Sequence, residues 1–267
     1  MQSKLISESE IQEMLQFTSV SHAAAWLKRT PEYAKAWADL DENSLHRGQI
    51  EKLLKASIFK DFSKIYQFAN PEQRKFLDLY SRRYEIRVLK EIMTNLFDHK
   101  STDAVDVSPY CDFFRRHSKL DLDRLTACTT MDEFINTLKG NEFYVPLSRI
   151  QNHDTALLFD YGMALDLYYF SMIWNVRKKL FSGKDLEQIT TAYGEKFDML
   201  NLQFISRSKR YFSMAPADIY ALLIPMNYKL KKEEITALVE ASTREEAQQI
   251  FRKTYYGKKY DHLSAHN

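Results

Sequence analysis

Apolar positions recur every three or four residues along most of the chain, which is the period of an α-helix and not of a strand. Residues 8–17 read as a short amphipathic helix with Ile11, Met14 and Leu15 on one side. From 44 to 68, Ile50, Leu53, Leu54, Ile58, Phe62 and Ile65 make a helical stripe. Asn70-Pro71 ends that helix and opens the next, because a proline at the first helical position sacrifices no hydrogen bond. This next helix carries Tyr84-Glu85-Ile86-Arg87-Val88-Leu89-Lys90-Glu91-Ile92, and the polar stretch 100–109 after it reads as a loop. Two further long helices are expected, at about 154–180 and, after Ser182-Gly183, at about 185–211. Residues 165–174 are apolar almost all round, which predicts a central helix. A last group of short helices begins with 216–224.

One kind of helix start appears three times. A hydroxyl residue stands at the N-cap in each (Ser19, Thr130, Thr243), and Glu133 and Glu246 follow three residues later, where a capping box places them. Apolar pairs four residues apart recur behind the caps: Ala23/Leu27, Phe134/Leu138 and Ala247/Phe251. Thr130 lies 111 residues after Ser19, and Thr243 lies 113 after Thr130, far beyond a solenoid period. The unit is therefore expected to be a helical bundle. Phe197-Asp198-Met199-Leu200 echoes Tyr84-Glu85-Ile86, again 113 residues on, so an aromatic-acid pair marks the second long helix of each unit. The same distance after Asp198 passes beyond Asn267, so the third unit is expected to be incomplete. Ile235, Leu238, Ile250, Phe251, Tyr255 and Tyr256 are then expected to lie partly in water.

Composition supports helices. Glycine and proline number 6 each in 267 residues, and no Asn-Gly or Asp-Gly pair occurs, so the turns of a many-stranded sheet are missing. With 45% apolar residues the chain can bury a core. The 38 basic and 36 acidic residues leave a net charge of +2, which advertises no nucleic-acid partner. Cys111 and Cys128 form no ligand pair and suit a reducing compartment. No run of about 18 uncharged apolar residues and no secretory h-region is found, so neither a membrane span nor a signal is expected.

Candidate chemistry is sparse: there is no phosphate-cradling glycine loop, Cys-x-x-Cys, His-Glu-x-x-His or Gly-x-Ser-x-Gly. His153-Asp154 could begin a metal site, but the remaining histidines offer no ligand spacing with it, and a surface dipeptide is the simpler reading. Glu85 and Asp198 could be read as catalytic carboxylates, or as acids that orient neighbouring helices through an arginine or a helix N-terminus. The clusters Arg207/Lys209/Arg210 and Lys229/Lys231/Lys232 are either solvated faces or docking points for acidic partners or anionic headgroups. No catalytic residue, cofactor, metal or small-molecule substrate is expected.

Several blocks together carry a resemblance: Lys4-Leu5-Ile6, His46-Arg47 with Glu51, Tyr84-Glu85-Ile86 with Leu89-Lys90, Ala164-Leu165-Asp166-Leu167-Tyr168-Tyr169-Phe170, Leu223-Ile224-Pro225, Tyr228-Lys229-Leu230-Lys231-Lys232-Glu233-Glu234, and Thr254-Tyr255-Tyr256-Gly257-Lys258. In this order the chain resembles the C-type rotor component of bacterial and archaeal V/A-type rotary ATPases, the counterpart of the d-type component in the eukaryotic vacuolar enzyme. The resemblance implies an all-helical funnel of three pseudo-repeats, seated on the cytoplasmic mouth of the proteolipid ring and receiving the foot of the central stalk. The chain departs from the family in lacking a longer N-terminal helix before Lys4-Leu5, in having Gly162 where an acid is usual, and in stopping before a third aromatic-acid helix, as a fragment or a shortened member would.

The expectations are thus an all-α fold of pseudo-repeated bundles, with repeats at 1–104 and 105–214 and a partial third at 215–267. The resemblance implies a non-catalytic rotor adaptor, peripheral on the cytoplasmic face of a membrane, whose partners are the central stalk and the proteolipid ring. Its candidate partner-binding residues are Lys229, Lys231, Lys232, Arg207, Lys209 and Arg210, and its repeat motif is Tyr84/Glu85 and Phe197/Asp198. A helical scaffold that binds a partner helix or peptide without a rotary role is the alternative.

Overall fold

The computed structural model describes residues 6–38, 41, 45–98, 111–151 and 156–264. Lys4-Leu5, His153-Asp154, the loop 100–109 and the expected boundary at 104/105 lie outside the described residues. Among the described residues every regular element is helical. The chain divides into two compact units, residues 1–74 with 102–127 and residues 75–101 with 128–267.

In the first unit α1 (Glu8–Met14) is closed by a capping box from Ser7 and Glu10 but buries none of its residues. Helices α2 (Val20–Arg29) and α3 (Pro31–Trp37) then bury Ala24, Leu27 and Trp37 against Ile50 of α4 (Arg47–Phe68). The expected stripe of α4 is shifted at its end. Ile58 and Ile65 are exposed, whereas Phe59 and Phe62 are buried, their rings 5.3 and 5.0 Å from that of Phe113. Aromatic rings bury more area than isoleucine, so the Phe59/Phe62 edge takes the core.

Helix α5 (Pro71–Phe97) begins where the sequence places it: Asn70 Oδ1 accepts from Gln73 N–H at 2.9 Å, and Gln73 Oε1 accepts from Asn70 N–H at 3.0 Å. Helices α6 (Cys111–His117) and α7 (Leu122–Thr126) return to the first unit.

In the second unit, α8 (Met131–Thr137) and α9 (Tyr144–Gln151) precede two long helices, α10 (Leu158–Leu180) and α11 (Gly183–Arg207). A π-helical turn, Ser208–Phe212, continues α11, and Ser213 closes it with φ of +47°. Of the apolar segment 165–174, Leu165, Tyr169, Phe170 and Ile173 are buried. The chain then forms α12 (Pro216–Leu222), α13 (Lys232–Glu240), α14 (Arg244–Lys253) and α15 (Tyr255–Ser264).

The three matching helix starts carry the same cap. Ser19, Thr130 and Thr243 hydroxyls accept from the N–H groups of His22, Glu133 and Glu246 at 3.2, 3.2 and 3.1 Å. Glu133 and Glu246 reach one residue further back than a capping box requires, to the N–H groups of Thr129 and Ser242 at 2.9 and 2.7 Å.

One expectation is corrected. Ile235, Leu238 and Tyr256 are not in water: they are 7%, 4% and 0% exposed, in a core shared with Ile205, Ile219, Leu230 and Val239. The last turns of α11 supply the apolar surface that a further long helix pair was expected to supply. Ile250 and Phe251 pack on the edge of this core, and only Tyr255 stays 41% exposed.

Candidate partner-binding surface

Four residues spaced three, four and three apart on α11, Thr191, Gly194, Asp198 and Asn201, occupy one helix face and grip the loop 223–231. Asp198 and Asn201 are fully buried. A buried carboxylate is costly unless every lone pair finds a donor. Here Oδ1 accepts from Tyr228 N–H at 3.0 Å, and Oδ2 accepts from Lys229 N–H at 2.6 Å, Leu230 N–H at 2.9 Å and the Tyr256 phenol at 2.8 Å. One carboxylate therefore fixes three successive loop amides and ties them to α15.

Asn201 acts as a piece of backbone: its Nδ2 donates to the Ile224 carbonyl at 3.0 Å and its Oδ1 accepts from Ile224 N–H at 2.8 Å. Thr191 Oγ1 and the Tyr228 hydroxyl are 3.1 Å apart. Between these polar clasps the Tyr228 ring lies on the backbone of α11 at Gly194, where a Cβ would stand 2.4 Å from Tyr228 Cγ. Glycine is needed for that approach. Gly257 serves a similar purpose between α14 and α15, where a Cβ would come within 2.0 Å of the Phe251 carbonyl oxygen. Burial, followed by the Asp198 carboxylate, pushes the Tyr256 phenol far above its ordinary range.

The clasped loop presents basic side chains. Lys229 is exposed, its Nζ 4.9 Å from the centroid of the Tyr228 ring and 5.8 Å from that of Tyr255. Lys231 and Lys232 are exposed at the start of α13, where a cation opposes the positive end of the helix dipole. Glu233 and Glu234 offset this, the latter accepting from Lys231 N–H at 2.8 Å.

The other basic cluster is elsewhere. Arg207 and Arg210 are exposed, Arg210 lying 5.1 Å over the exposed Tyr211 ring, while Lys209 donates to the Ala241 carbonyl at 2.6 Å. Lys209 thus closes the C-terminal end of α13, and Lys231 and Lys232 open it, about 13 Å away at 1.5 Å per residue. The structure does not join the two clusters into one patch.

Of the repeat motif, Glu85 and Asp198 are both buried on long helices but meet different partners. Glu85 lies 3.4 Å from Arg82, which also pairs with Glu142 at 2.6 Å, and Glu142 accepts from the Tyr168 hydroxyl at 2.8 Å. Phe197 is fully buried, its ring 5.1 Å from Phe170 and 5.7 Å from Trp174. Tyr84 is half-buried beneath Arg83.

Thr191, Gly194 and Asn201 were not singled out by sequence. The signal was their spacing with Asp198 on a predicted helix. A groove of about 790 Å³ also opens on this unit, lined by Val145, Ile150, Phe159, Met163, Leu167 and Leu222 among others. Among the described residues no cluster of three or more His, Cys, Asp or Glu could hold a metal, and no helix is long and apolar enough to cross a membrane.

Comparison with known proteins points to one family. Three A-type ATP synthase C subunits are similar to the chain. That of Methanothermobacter thermautotrophicus is 21% identical over 89% of this chain and 59% of its own length. That of Methanosphaera stadtmanae is 20% identical over 99% of this chain and 66% of its own, and that of Methanosarcina mazei 23% identical over 75% and 51%. The chain thus spans about half to two-thirds of the length of the curated relatives it matches. The family model for the ATP synthase (C/AC39) subunit matches residues 1–266, and the chain therefore belongs to that family.

Proposed function

We propose that the chain is a non-catalytic central-rotor adaptor of a V/A-type ion-translocating ATPase, linking the central stalk to the membrane proteolipid ring. The observation that carries this is the family match over residues 1–266, together with the similarity to C subunits of A-type ATP synthases. The role is mechanical. A body that transmits torque must bind two partners and deform little, and close-packed helices meet the second requirement. The clasp of Asp198 and Asn201 on loop 223–231 supports the reading, because it immobilises a segment that carries exposed lysines. Lys231 and Lys232 stand where they do not favour their own helix, so their placement is better accounted for by a partner than by folding.

In this proposal the chain works at the cytoplasmic face of a membrane, Lys229, Lys231 and Lys232 with Arg207, Lys209 and Arg210 contribute to the partner contacts, and the three helix starts mark three repeats. A second reading, a scaffold for a partner helix without a rotary role, is favoured by the apolar groove beside Phe159 and Met163. Affinity purification of the tagged protein from its native membranes, followed by identification of what co-purifies, separates the two. Recovery of the ATPase stalk and proteolipid components is expected. Recovery of other partners without any ATPase component would overturn the adaptor reading.

A further inference from the structure

A row of side chains runs along α5 opposite its buried face. Tyr80, Arg83, Arg87 and Lys90 are spaced three, four and three apart, whereas Glu85, Val88, Leu89 and Ile92 face the core. The cations of this row are held in different ways. Lys90 is matched within the fold by a carboxylate from a neighbouring helix, Asp166 of α10, at 2.6 Å. Arg83 is held on aromatic plates, its guanidinium 5.0 and 5.5 Å from the centroids of Tyr80 and Tyr84, and it donates to the Tyr80 hydroxyl at 2.7 Å. Lys196 of α11 joins them, its ammonium 5.8 and 5.9 Å from the rings of Phe170 and Tyr193. Partial desolvation of its ammonium, and then the charge of Arg83, lowers the affinity of Lys196 for its proton, although the residue as a whole stays exposed.

Arg83, Arg87 and Lys196 are exposed, and none forms an ion pair among the described residues. Four acids of this unit are engaged, Asp166 by Lys90, Glu85 and Glu142 by Arg82, and Glu195 by Lys259 at 2.9 Å, while Glu91, one turn beyond Arg87, is exposed at the end of the row and forms no ion pair with it. Three cations here outnumber the acids within reach, since Asp166, which acts on Lys196, is already paired with Lys90 and Glu91 stands only at the end of the row, and an excess of like charge is unfavourable unless something else offsets it. Stacking on tyrosines removes much of the rotamer freedom that an exposed arginine would otherwise lose on binding.

We infer that the α5 face formed by Arg83 and Arg87, with Lys196 beside it, is a docking surface for an acidic helix that presents carboxylates four residues apart. Arg83 and Arg87 are themselves one helical turn apart, about 6 Å between side-chain origins, which is the spacing of such carboxylates. The contact between Lys90 and Asp166 is the internal example: a cation of this row already receives a carboxylate from an adjacent helix. An anionic membrane surface is the less fitting occupant, since among the described residues Met199 is the one large apolar side chain on α11 that is exposed near Lys196 to enter lipid.

The test uses the full chain and a fluorescent synthetic helical peptide with glutamates four residues apart on one face, followed by anisotropy. Its glutamine twin, its lysine twin and vesicles containing phosphatidylserine serve as the other probes. The glutamate peptide should bind at least about tenfold tighter than the glutamine twin, and R83E/R87E/K196E should lose about tenfold and then prefer the lysine peptide. K178E/K179E, on the exposed last turn of α10, should keep the wild-type preference. Circular dichroism should show unchanged helix content in every variant. Equal binding of glutamate and glutamine peptides would overturn the inference, as would an equal loss in K178E/K179E. Dependence on Arg83, Arg87 and Lys196 seen with vesicles and not with peptide would assign the face to lipid instead.

Discussion

Replacing Asp198 by alanine tests whether one carboxylate holds the loop. The change leaves the N–H groups of Tyr228, Lys229 and Leu230 and the Tyr256 hydroxyl without their acceptor. A buried donor left unpaired costs about 1–3 kcal/mol, and hydrogen bonds to a charged group lie in the upper part of that range. Four such losses do not add, because they share one acceptor and the loop can move its amides toward water. About 4 kcal/mol is therefore expected, a large fraction of a typical 5–15 kcal/mol stability. At about 2–4 °C per kcal/mol for a unit of this size, the melting temperature should fall by about 8–16 °C.

Asp198→Asn should cost about half as much. Its oxygen can still serve one side of the site, but its amide must point a donor at donors on the other. Urea unfolding followed by circular dichroism measures the loss, and amide exchange across 223–231 locates it. A cost below about 1 kcal/mol for the alanine variant, or unchanged exchange in the loop, would show that α12 and α13 position the loop unaided.

Other consequences follow from the same residues. Gly194→Ala drives a Cβ to within 2.4 Å of the Tyr228 ring, so it should destabilise by about 1–3 kcal/mol and speed exchange in the loop, measured in the same way. Replacing Lys229, Lys231 and Lys232 by glutamine should weaken recovery with membranes and flatten its salt dependence while helix content stays constant; association unchanged across a salt series would remove these lysines from the contact. Burial raises the phenols of Tyr256 and Tyr169 above the ordinary value of about 10, which favours the neutral, folded form. Their contribution to stability is thus complete below pH ~10 and is lost as pH rises through the folded-state values, so phenolate absorbance should show late-titrating tyrosines that appear only as the chain unfolds. Amides of α13, which buries Ile235, Leu238 and Val239, should exchange more slowly than those of α14, which buries no residue completely.

Helices were legible because period and punctuation agree. The helix ending at Phe68, the Asn70-Pro71 start and the three hydroxyl caps are local signals, and local hydrogen bonds realise them. The packing of the C-terminal helices was not legible, since counting by repeat assigns Ile235 and Tyr256 to helices that would follow them. The structure gives them Ile205 and Ile219, which precede them. Apolar side chains are interchangeable partners, and a periodic pattern says which face is buried but not against what.

The clasp was hidden for another reason. Asp198 stands out as an acid in an apolar stretch, yet three of its four partners are backbone amides 30 to 32 residues away. Every residue but proline carries such an amide, so no side-chain pattern marks the recipients. What the sequence does display is the gripping side of the arrangement: a threonine, a glycine, an aspartate and an asparagine at three-four-three spacing on one helix. A glycine that admits an aromatic ring, flanked by polar side chains on the same face, describes a helix on which another segment of backbone must lie. That inference requires the four positions to be read together, because each alone has an ordinary explanation on a solvated helix.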